Sequence, residues 1–501
     1  MNTSNALSRR RFLKRTTAGV ATLPLVLKPK GQGPVLSLRQ RKGVSPRNVV
    51  FILSDDHRYD FMGFMGRPKF LRTPAMDWMA SHGAHLANAF VSTALCSPSR
   101  ASILTGQYAH KHGVVDNQTD IPQGTVFFPA YLRNAGYQTA FFGKWHMGNG
   151  TDAPRPGFDK WVSFRGQGVY NNPQLNIDGT RIKAEGYITD LLTDYALKWL
   201  EKERDPKKPF FLYLSHKGVH APFEPAKRHA GVYARAPVEY PDSMADTEAN
   251  HRGKPAWVRA QRNSWHGVDY MYHGEMDFDT FYRKYCETLL GVDESIGRVL
   301  DSLQKKNELD KTAVIYMGDN GFYFGEHGFI DKRSMYEESM RVPLLFSCPA
   351  LVRSATRILP MVQNIDIAPT VLELAGLEPP DIMDGRSFVP LLEGKTVAWR
   401  DAVFYEYYWE RNFPQTPTVH GVRTDQYKYM RYHGIWDTDE FYDLTNDPRE
   451  MTNLIDSPEH QARIKEFNRM LFEWLEKTDG MIIPLRRDAG NPMNKRRPGS
   501  P

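Results

Sequence analysis

Four short clusters place oxygen ligands, cations and imidazoles where an anionic ester could be held and cleaved. Ser54-Asp55-Asp56 and Gly318-Asp319-Asn320-Gly321 each follow an apolar run. Asp55, Asp56, Asp319 and Asn320 offer oxygen donors only, with three formal negative charges. Such a set suits a hard divalent cation, calcium before magnesium, rather than zinc or copper. One Asp-Asp pair after a strand usually caps a helix or closes a turn, but two such groups, each directly after an apolar strand, favour a metal site. Gly143-Lys144-Trp145-His146 and Ser215-His216-Lys217-Gly218-Val219-His220 add the cation Lys144 and the proton carriers His146 and His220. His110, His112, His216 and His327 read as ordinary structural histidines. A cation ringed by such groups is a design for an anionic tetrahedral substrate.

A fifth cluster is Leu95-Cys96-Ser97-Pro98-Ser99-Arg100-Ala101-Ser102-Ile103-Leu104-Thr105-Gly106. Pro98 fits the first turn of a helix, which puts Cys96 at a helix N-terminus. Backbone N–H groups and the helix dipole favour anions there and activate nucleophiles. Arg100, one turn on, reaches the same anion. Taken alone, the segment is compatible with a thiolate nucleophile or with a buried cysteine ahead of a helix.

The elements that must position these groups alternate in type, the pattern of an α/β domain with a largely parallel sheet flanked by helices. Strands are predicted at Asn48–Leu53, Gln138–Phe142, Phe210–Leu214, Ala313–Met317 and Leu344–Ser347, and helices at Phe127–Asn134, Ile188–Glu203, Phe281–Lys306 and Ile367–Leu374. Four of these strands end in the clusters named above, and open α/β sheets bind ligands beyond the carboxyl ends of their strands. Residues 221–280, rich in Pro, His, Tyr and charge, read as a long surface insertion. Beyond Lys395 the pattern changes to antiparallel strands at Val403–Tyr408, Val419–Arg423, Tyr427–Tyr432 and Glu440–Asp443, then an amphipathic helix at His460–Lys477. The expected domains are therefore 48–395, catalytic, and 396–484, a small α+β unit, with a disordered basic tail at 485–501.

The 501-residue chain carries a formal charge of +7, yet residues 1–47 hold eleven Lys/Arg and no Asp/Glu, so the remainder sums to 7 − 11 = −4. A mildly acidic body without a basic stripe excludes a nucleic-acid reading. Ser8-Arg9-Arg10-Arg11-Phe12-Leu13-Lys14 followed by the apolar run Thr17–Leu27 matches a twin-arginine export signal, assigned to 1–33 with a junction at 34–47. That run is about half a bilayer span, so no permanent membrane anchor is expected. The protein is thus expected to be periplasmic or secreted, with the twin-arginine machinery as a partner. Three cysteines do not make a disulfide framework; Cys286 and Cys348 read as packing residues, with a bridge between them as the alternative.

Cys96-Ser97-Pro98-Ser99-Arg100 with Thr105-Gly106 downstream resembles the sulfatase signature, Cys-x-Pro-x-Arg with its Thr-Gly. Ser54-Asp55-Asp56, Gly143-Lys144-Trp145-His146, Gly318-Asp319-Asn320-Gly321 and Gly325-Glu326-His327-Gly328 occur in the family order, and the resemblance runs from Asn48 to Leu454. It implies an alkaline-phosphatase-like domain with a small C-terminal sheet domain, and a cysteine oxidised to formylglycine by a separate maturation enzyme. It further implies that Asp55, Asp56, Asp319, Asn320 and the modified Cys96 bind the metal. Arg100, Lys144, His146, His220 and Lys332 then form the sulfate-binding and proton-transfer set. Val219-His220 stands where the family often has Pro-His, leaving His216 as the fallback for His220. The implied mechanism is attack on sulfur by the aldehyde hydrate. Arg100 and Lys144 polarise the nucleophile, Lys332 neutralises sulfate oxygens, His220 protonates the leaving alcohol, and His146 re-forms the aldehyde.

Asp55-Asp56-His57-Arg58-Tyr59-Asp60 with Tyr442-Asp443-Leu444 and Asp447-Pro448 is similar to bacterial enzymes acting on sulfated glycans, including N-acetylglucosamine-6-sulfatases. Tyr407, Tyr408, Trp409, Glu410 and Arg411 either line a sugar subsite or, the better reading, pack the C-terminal sheet on the main domain. Two other functions fit the same scaffold: a formylglycine-dependent phosphonate or phosphate ester hydrolase, and a non-catalytic binder of sulfated glycan.

Overall fold

Alternate side chains of the strand Asn48–Ser54 enter two different cores: Val49, Phe51 and Leu53 one, Val50 and Ile52 the other. A strand covered on both faces has no solvent side, which is why its sequence is a continuous apolar run rather than an alternation. The same holds for Gln138–Lys144, Phe210–Ser215 and Thr312–Gly318. The computed structural model describes residues 36–148, 150–271, 276–434 and 436–484. The export signal, the first two residues of its junction and the basic tail lie outside the described residues.

Five parallel strands form the centre of a ten-stranded sheet, in the order Thr312–Gly318, Asn48–Ser54, Phe210–Ser215, Gln138–Lys144 and Lys160–Phe164. Leu344–Ser347 continues it antiparallel on one side, then Ala84–Leu86 and Thr356–Ile358; Gln174–Ile177 and Thr180–Lys183 close the other side. The register aligns the carboxyl ends: Ser54 pairs with Gly318, and Ser215 pairs with both Leu53 and Gly143. With neighbouring strands about 4.8 Å apart, the four clusters that follow must meet at one edge.

The 28-residue helix Phe278–Lys305 covers one face. It starts where the Asp277 side chain accepts the Thr280 N–H at 2.9 Å, three residues before the predicted start. The helix predicted at Ile188–Glu203 is α-helical only to Lys198; Trp199–Glu203 widens into a π turn. The insertion at 221–280 is not all surface. Phe223, Ala226 and Tyr233 enter the core beside the long helix, and Trp257 and Val258 enter the opposite one.

The second sheet, Ala402–Tyr407, Thr418–Thr424, Tyr427–His433 and Glu440–Asp443, is an antiparallel meander. Helix Gln461–Lys477 lays Ile464, Phe467, Leu471 and Trp474 across Val422, Tyr429 and Phe441. Tyr407 and Tyr408 are buried, their hydroxyls donating to Glu410 and Glu406, which is the packing role for these two residues, while Trp409 and Arg411 are half-buried. Cys286 and Cys348 are both free, buried in the cores on opposite faces of the sheet, which rules out a bridge. No described helix is long and apolar enough to cross a membrane.

Candidate active site

The three aspartates converge as the register requires. The Asp319 N–H donates to Ser54 O at 2.9 Å, and the Asp56 N–H donates to Asp319 Oδ1 at 3.0 Å. Asp56 turns out of its strand with φ 55°, and the Tyr285 hydroxyl fixes that turn by donating to Asp56 O at 2.8 Å and accepting from Arg58 N at 3.0 Å. Asn320 donates from Nδ2 to Asp56 Oδ1 at 2.7 Å, leaving its buried Oδ1 with no protein partner. Asp55, Asp56 and Asp319 are at most 1% exposed.

Cations close the ring. Lys144 Nζ pairs with Asp55 Oδ2. Lys332 Nζ donates to both oxygens of Asp56, at 2.6 and 2.7 Å. Arg100 binds Asp319 Oδ2 through Nε at 2.9 Å and Nη2 at 2.8 Å, while Nη1 donates to Lys144 O and Ser215 Oγ, both at 2.7 Å. Gly143 lets the Lys144 strand end approach: it has φ 129°, and a Cβ there would lie 1.7 Å from Ser215 O.

Cys96 is the first residue of helix Cys96–Thr105, every residue of which is buried. Its Sγ lies 3.4 Å from Asp55 Oδ1. Burial and then the Asp55 charge push its thiol far above the usual value, against the pull of Lys144 and Lys332. A thiolate nucleophile is therefore disfavoured. Ser97 and Ser99 anchor this helix by donating to the carbonyls of His146 and Asp319.

The three carboxyls respond unequally to burial. Lys144, His220, Arg100 and Lys332 override it at Asp55 and hold that carboxyl well below its usual value. At Asp56 burial, aided by Asp55 and Asp319, outweighs Lys332 and raises the carboxyl to about 7; burial and Asp55 bring Asp319 to about 6. Two carboxyls that stay partly protonated beside an unpartnered amide oxygen are what a divalent cation would relieve.

The histidines divide cleanly. His146 (φ 48°) and His220 border a cavity of about 420 Å³, with Lys332 on its wall. Burial and Lys144 hold both imidazoles neutral. His220 Nε2 lies 3.9 Å from Asp56 Oδ2, and its Nδ1 is 2.6 Å from Ala221 O. His216, the fallback, is instead a core residue bonded to Ser295 Oγ at 2.9 Å and does not line the cavity. His110 pairs with Glu406, His112 with Ser102, and His327 with Lys254.

The cavity also has residues that sequence reasoning missed: Gln167, Trp265, His266, Asp331, Arg333, Asn412 and Phe413. Asp331 (φ 81°) and Arg333 (φ 95°) flank Lys332 in the left-handed region. Arg333 pairs with Glu410 at 2.8 Å and lies 4.1 Å over the Phe413 ring. The buried ring of Trp257 stacks on Phe329, two residues before Asp331. Lys332 and Arg333 against the single Asp331, with the neutral imidazoles of His146, His220 and His266 beside them, suit the wall to an anionic group.

Residues 47–377 match the sulfatase family, and residues 325–477 match the family described as N-sulphoglucosamine sulphohydrolase, C-terminal. The chain belongs to the sulfatase family, and it is an enzyme that hydrolyses sulfate esters on an alkaline-phosphatase-like fold. It is 34% identical to an N-acetylglucosamine-6-O-sulfatase of Bacteroides thetaiotaomicron, over 87% of each chain. With N-acetylglucosamine-6-sulfatase of Homo sapiens it shares 30% identity over 82% of this chain and 81% of that one. A solved structure of a protein in complex with its substrate D-glucosamine-2-N,6-O-disulfate matches at TM-score 0.81 and 32% identity, covering 88% of this chain and 100% of that one. Sulfatases as a family use a formylglycine and a divalent metal.

Proposed function

We propose that this sulfatase removes the 6-O-sulfate of a glucosamine residue in a sulfated glycan, with Cys96 converted to formylglycine and calcium bound by Asp55, Asp56, Asp319, Asn320 and the modified residue. One observation carries the reading. Cys96 lies against Asp55 inside a closed ring of Lys144, Arg100, Asp319, Asn320, Asp56 and Lys332, with His146 and His220 at the mouth. The donor set fits the ion: four side chains offer oxygen alone, and the Asn320 oxygen is already free. A cation held there would neutralise charge on the sulfate oxygens, and a hydrated aldehyde at position 96 would supply the attacking hydroxyl together with a second hydroxyl, whose deprotonation would re-form the aldehyde as the carbon–oxygen bond to sulfate breaks.

The chain's own residues do the rest. Arg100 and Lys144 bring two positive charges to the side chain at position 96 and stabilise negative charge there. Lys332 is drawn from Asp56 toward the incoming sulfate oxygens. The Ala221 carbonyl can only accept, so His220 carries its hydrogen on Nδ1 and turns Nε2 to the site. To protonate the leaving alcohol it must first become an imidazolium, a state that Asp56, 3.9 Å away, supports. His146 has a buried Nδ1 without a protein partner and serves as base toward the second hydroxyl.

Domain limits at 48–395 and 396–484 and twin-arginine export to the periplasm or beyond belong to the same reading, supported by the pattern at Ser8–Lys14. Since folded Cys96 is fully buried, its oxidation by a separate maturation enzyme precedes folding. The test is mass spectrometry of the Cys96 peptide from natively exported protein, expecting a loss of roughly 18 Da, followed by turnover of glucosamine 6-sulfate against phosphate and phosphonate esters. An unmodified thiol overturns the mechanism. Faster phosphonate cleavage gives the hydrolase alternative, and tight binding without turnover by modified protein gives the glycan-binding one.

A further inference from the structure

The two halves of the site come from segments far apart in the chain: the turn entering Cys96 and the strained segment Asp331–Arg333. No hydrogen bond between Cys96 and Lys332 holds them in register. One atom joins their backbones. The Tyr405 hydroxyl, on strand Ala402–Tyr407 of the C-terminal sheet, accepts the Ala94 N–H at 3.2 Å and donates to Arg333 O at 3.2 Å. Ala94 stands two residues before Cys96, and Arg333 directly follows Lys332. Tyr405 is fully buried, so no water replaces either bond. Its neighbour fixes the strand itself, because the Glu406 N–H donates to Ser92 O at 2.9 Å.

The segment needs such a hold. Two consecutive-but-one residues with side chains at positive φ are each unfavourable by about 1–3 kcal/mol and persist only where surroundings over-determine them. The main domain holds one side, through His266 on Asp331 at 2.8 Å and Asp56 on Lys332, and the C-terminal sheet holds the other. Tyr405 holds the Arg333 carbonyl, Glu410 its guanidinium at 2.8 Å, and Lys428 the Met335 carbonyl at 2.8 Å.

We infer that Tyr405 is a positioning residue: its hydroxyl sets Lys332 against the side chain at position 96, which makes the C-terminal sheet part of the catalytic apparatus. This rests on the sulfate-binding role proposed for Lys332. The hydroxyl touches no reacting atom and works only through the two backbones. Loss of the hydroxyl leaves a buried N–H and a buried C=O unpaired and frees the segment to relax.

The experiment is a double-mutant cycle on formylglycine-bearing enzyme, with Tyr405→Phe and Lys332→Ala alone and combined, rates being corrected for formylglycine content by mass spectrometry. Tyr405→Phe is expected to lower kcat/KM by about five- to thirtyfold in the parent and by less than about twofold in the Lys332→Ala background. Tyr429→Phe, which removes a hydroxyl bonded to Asp439 on the far strand, serves as the control for general loosening of the sheet and should leave the rate unchanged. Equal fractional losses in both backgrounds, or no loss in the parent, overturn the inference. If Tyr405→Phe does not fold, Glu410→Gln is judged by the same criterion. A fully active Lys332→Ala enzyme would instead refute the role of Lys332 itself, which keeps the two failures apart.

Discussion

Replacing Arg100 by lysine keeps the charge and removes the fork, and the structure gives the expected size of the effect. Arg100 is 1% exposed and makes close contacts with Asp319 Oδ2, Lys144 O and Ser215 Oγ, with Asp55 Oδ2 a further 3.7 Å from Nη2. A lysine ammonium can serve Asp319 but not the other two acceptors as well. Two bonds to a charged donor are lost, at about 1.5–3 kcal/mol each. Part of this is offset, because Ser215 Oγ still donates to Lys144 O at 2.8 Å, so neither group is stranded. A stability loss of about 2–4 kcal/mol follows. Arg100→Ala should cost more, because Asp319 and Asp55 then lose a buried counter-charge, a change of about 3–5 kcal/mol. The rate should suffer more than the stability, by about 10²–10³ in kcat/KM, as for loss of one preorganised donor. The assay is steady-state hydrolysis of glucosamine 6-sulfate together with thermal unfolding. Arg100 also belongs to the Cys-x-Pro-x-Arg motif, so rates must be expressed per formylglycine. A corrected kcat/KM within about threefold of the parent would refute the claim that the fixed guanidinium stabilises negative charge at position 96.

Cys96→Ser and Cys96→Ala should both fold and both lose sulfatase turnover, the serine variant because one hydroxyl cannot expel the bound sulfate; sustained turnover by either contradicts the mechanism. Chelation should lower the melting temperature, and calcium should restore it more effectively than magnesium; identical scans with and without chelator would remove the cation from the site. His110 gives a pH signature. Burial works against its charged form, but Glu406, 2.7 Å away, raises its pKa above the usual 6.5. The stability it contributes is therefore complete below about pH 6.5 and lost as pH rises through the raised folded value. Glu406 is held below its usual value, so its share is lost only as pH falls into the acid range. His110→Gln should flatten the decline in melting temperature above pH 6.5, and an unchanged pH profile would contradict this pairing.

The residues legible in the sequence are those announced by their strands. Asp55, Asp56, Asp319, Lys144 and His220 each follow an apolar run, and a parallel sheet brings such ends together whatever lies between them. Lys332 has no such signal: it follows the two-residue strand Ile330–Asp331, and only the family resemblance pointed to it. His266, Asn412 and Phe413 meet it in the cavity from the insertion and from a loop of the C-terminal sheet, and no local pattern encodes that meeting. The positive φ at Asp331 and Arg333 was equally hidden, since neither is glycine. Strands in the outer parts of the sheet were missed for a different reason. Thr180–Lys183 is exposed along its whole length and shows no apolar alternation, and Ala84–Leu86 is too short to show any.

The burial of Cys96 bears on why sulfatases use an oxidised residue rather than a thiol at this position. A cysteine nucleophile must ionise, yet here burial and the neighbouring Asp55 both oppose a second negative charge. Moving Asp55 away would free the thiol but would also remove a ligand from the cation site. An aldehyde hydrate resolves the conflict because it is neutral, keeps an oxygen in reach of Lys144 and Arg100, and needs to lose a proton only as attack proceeds. Surroundings that disfavour a thiolate but place Lys144 and Arg100 beside an oxygen at that position are the physical support for the proposed conversion of Cys96.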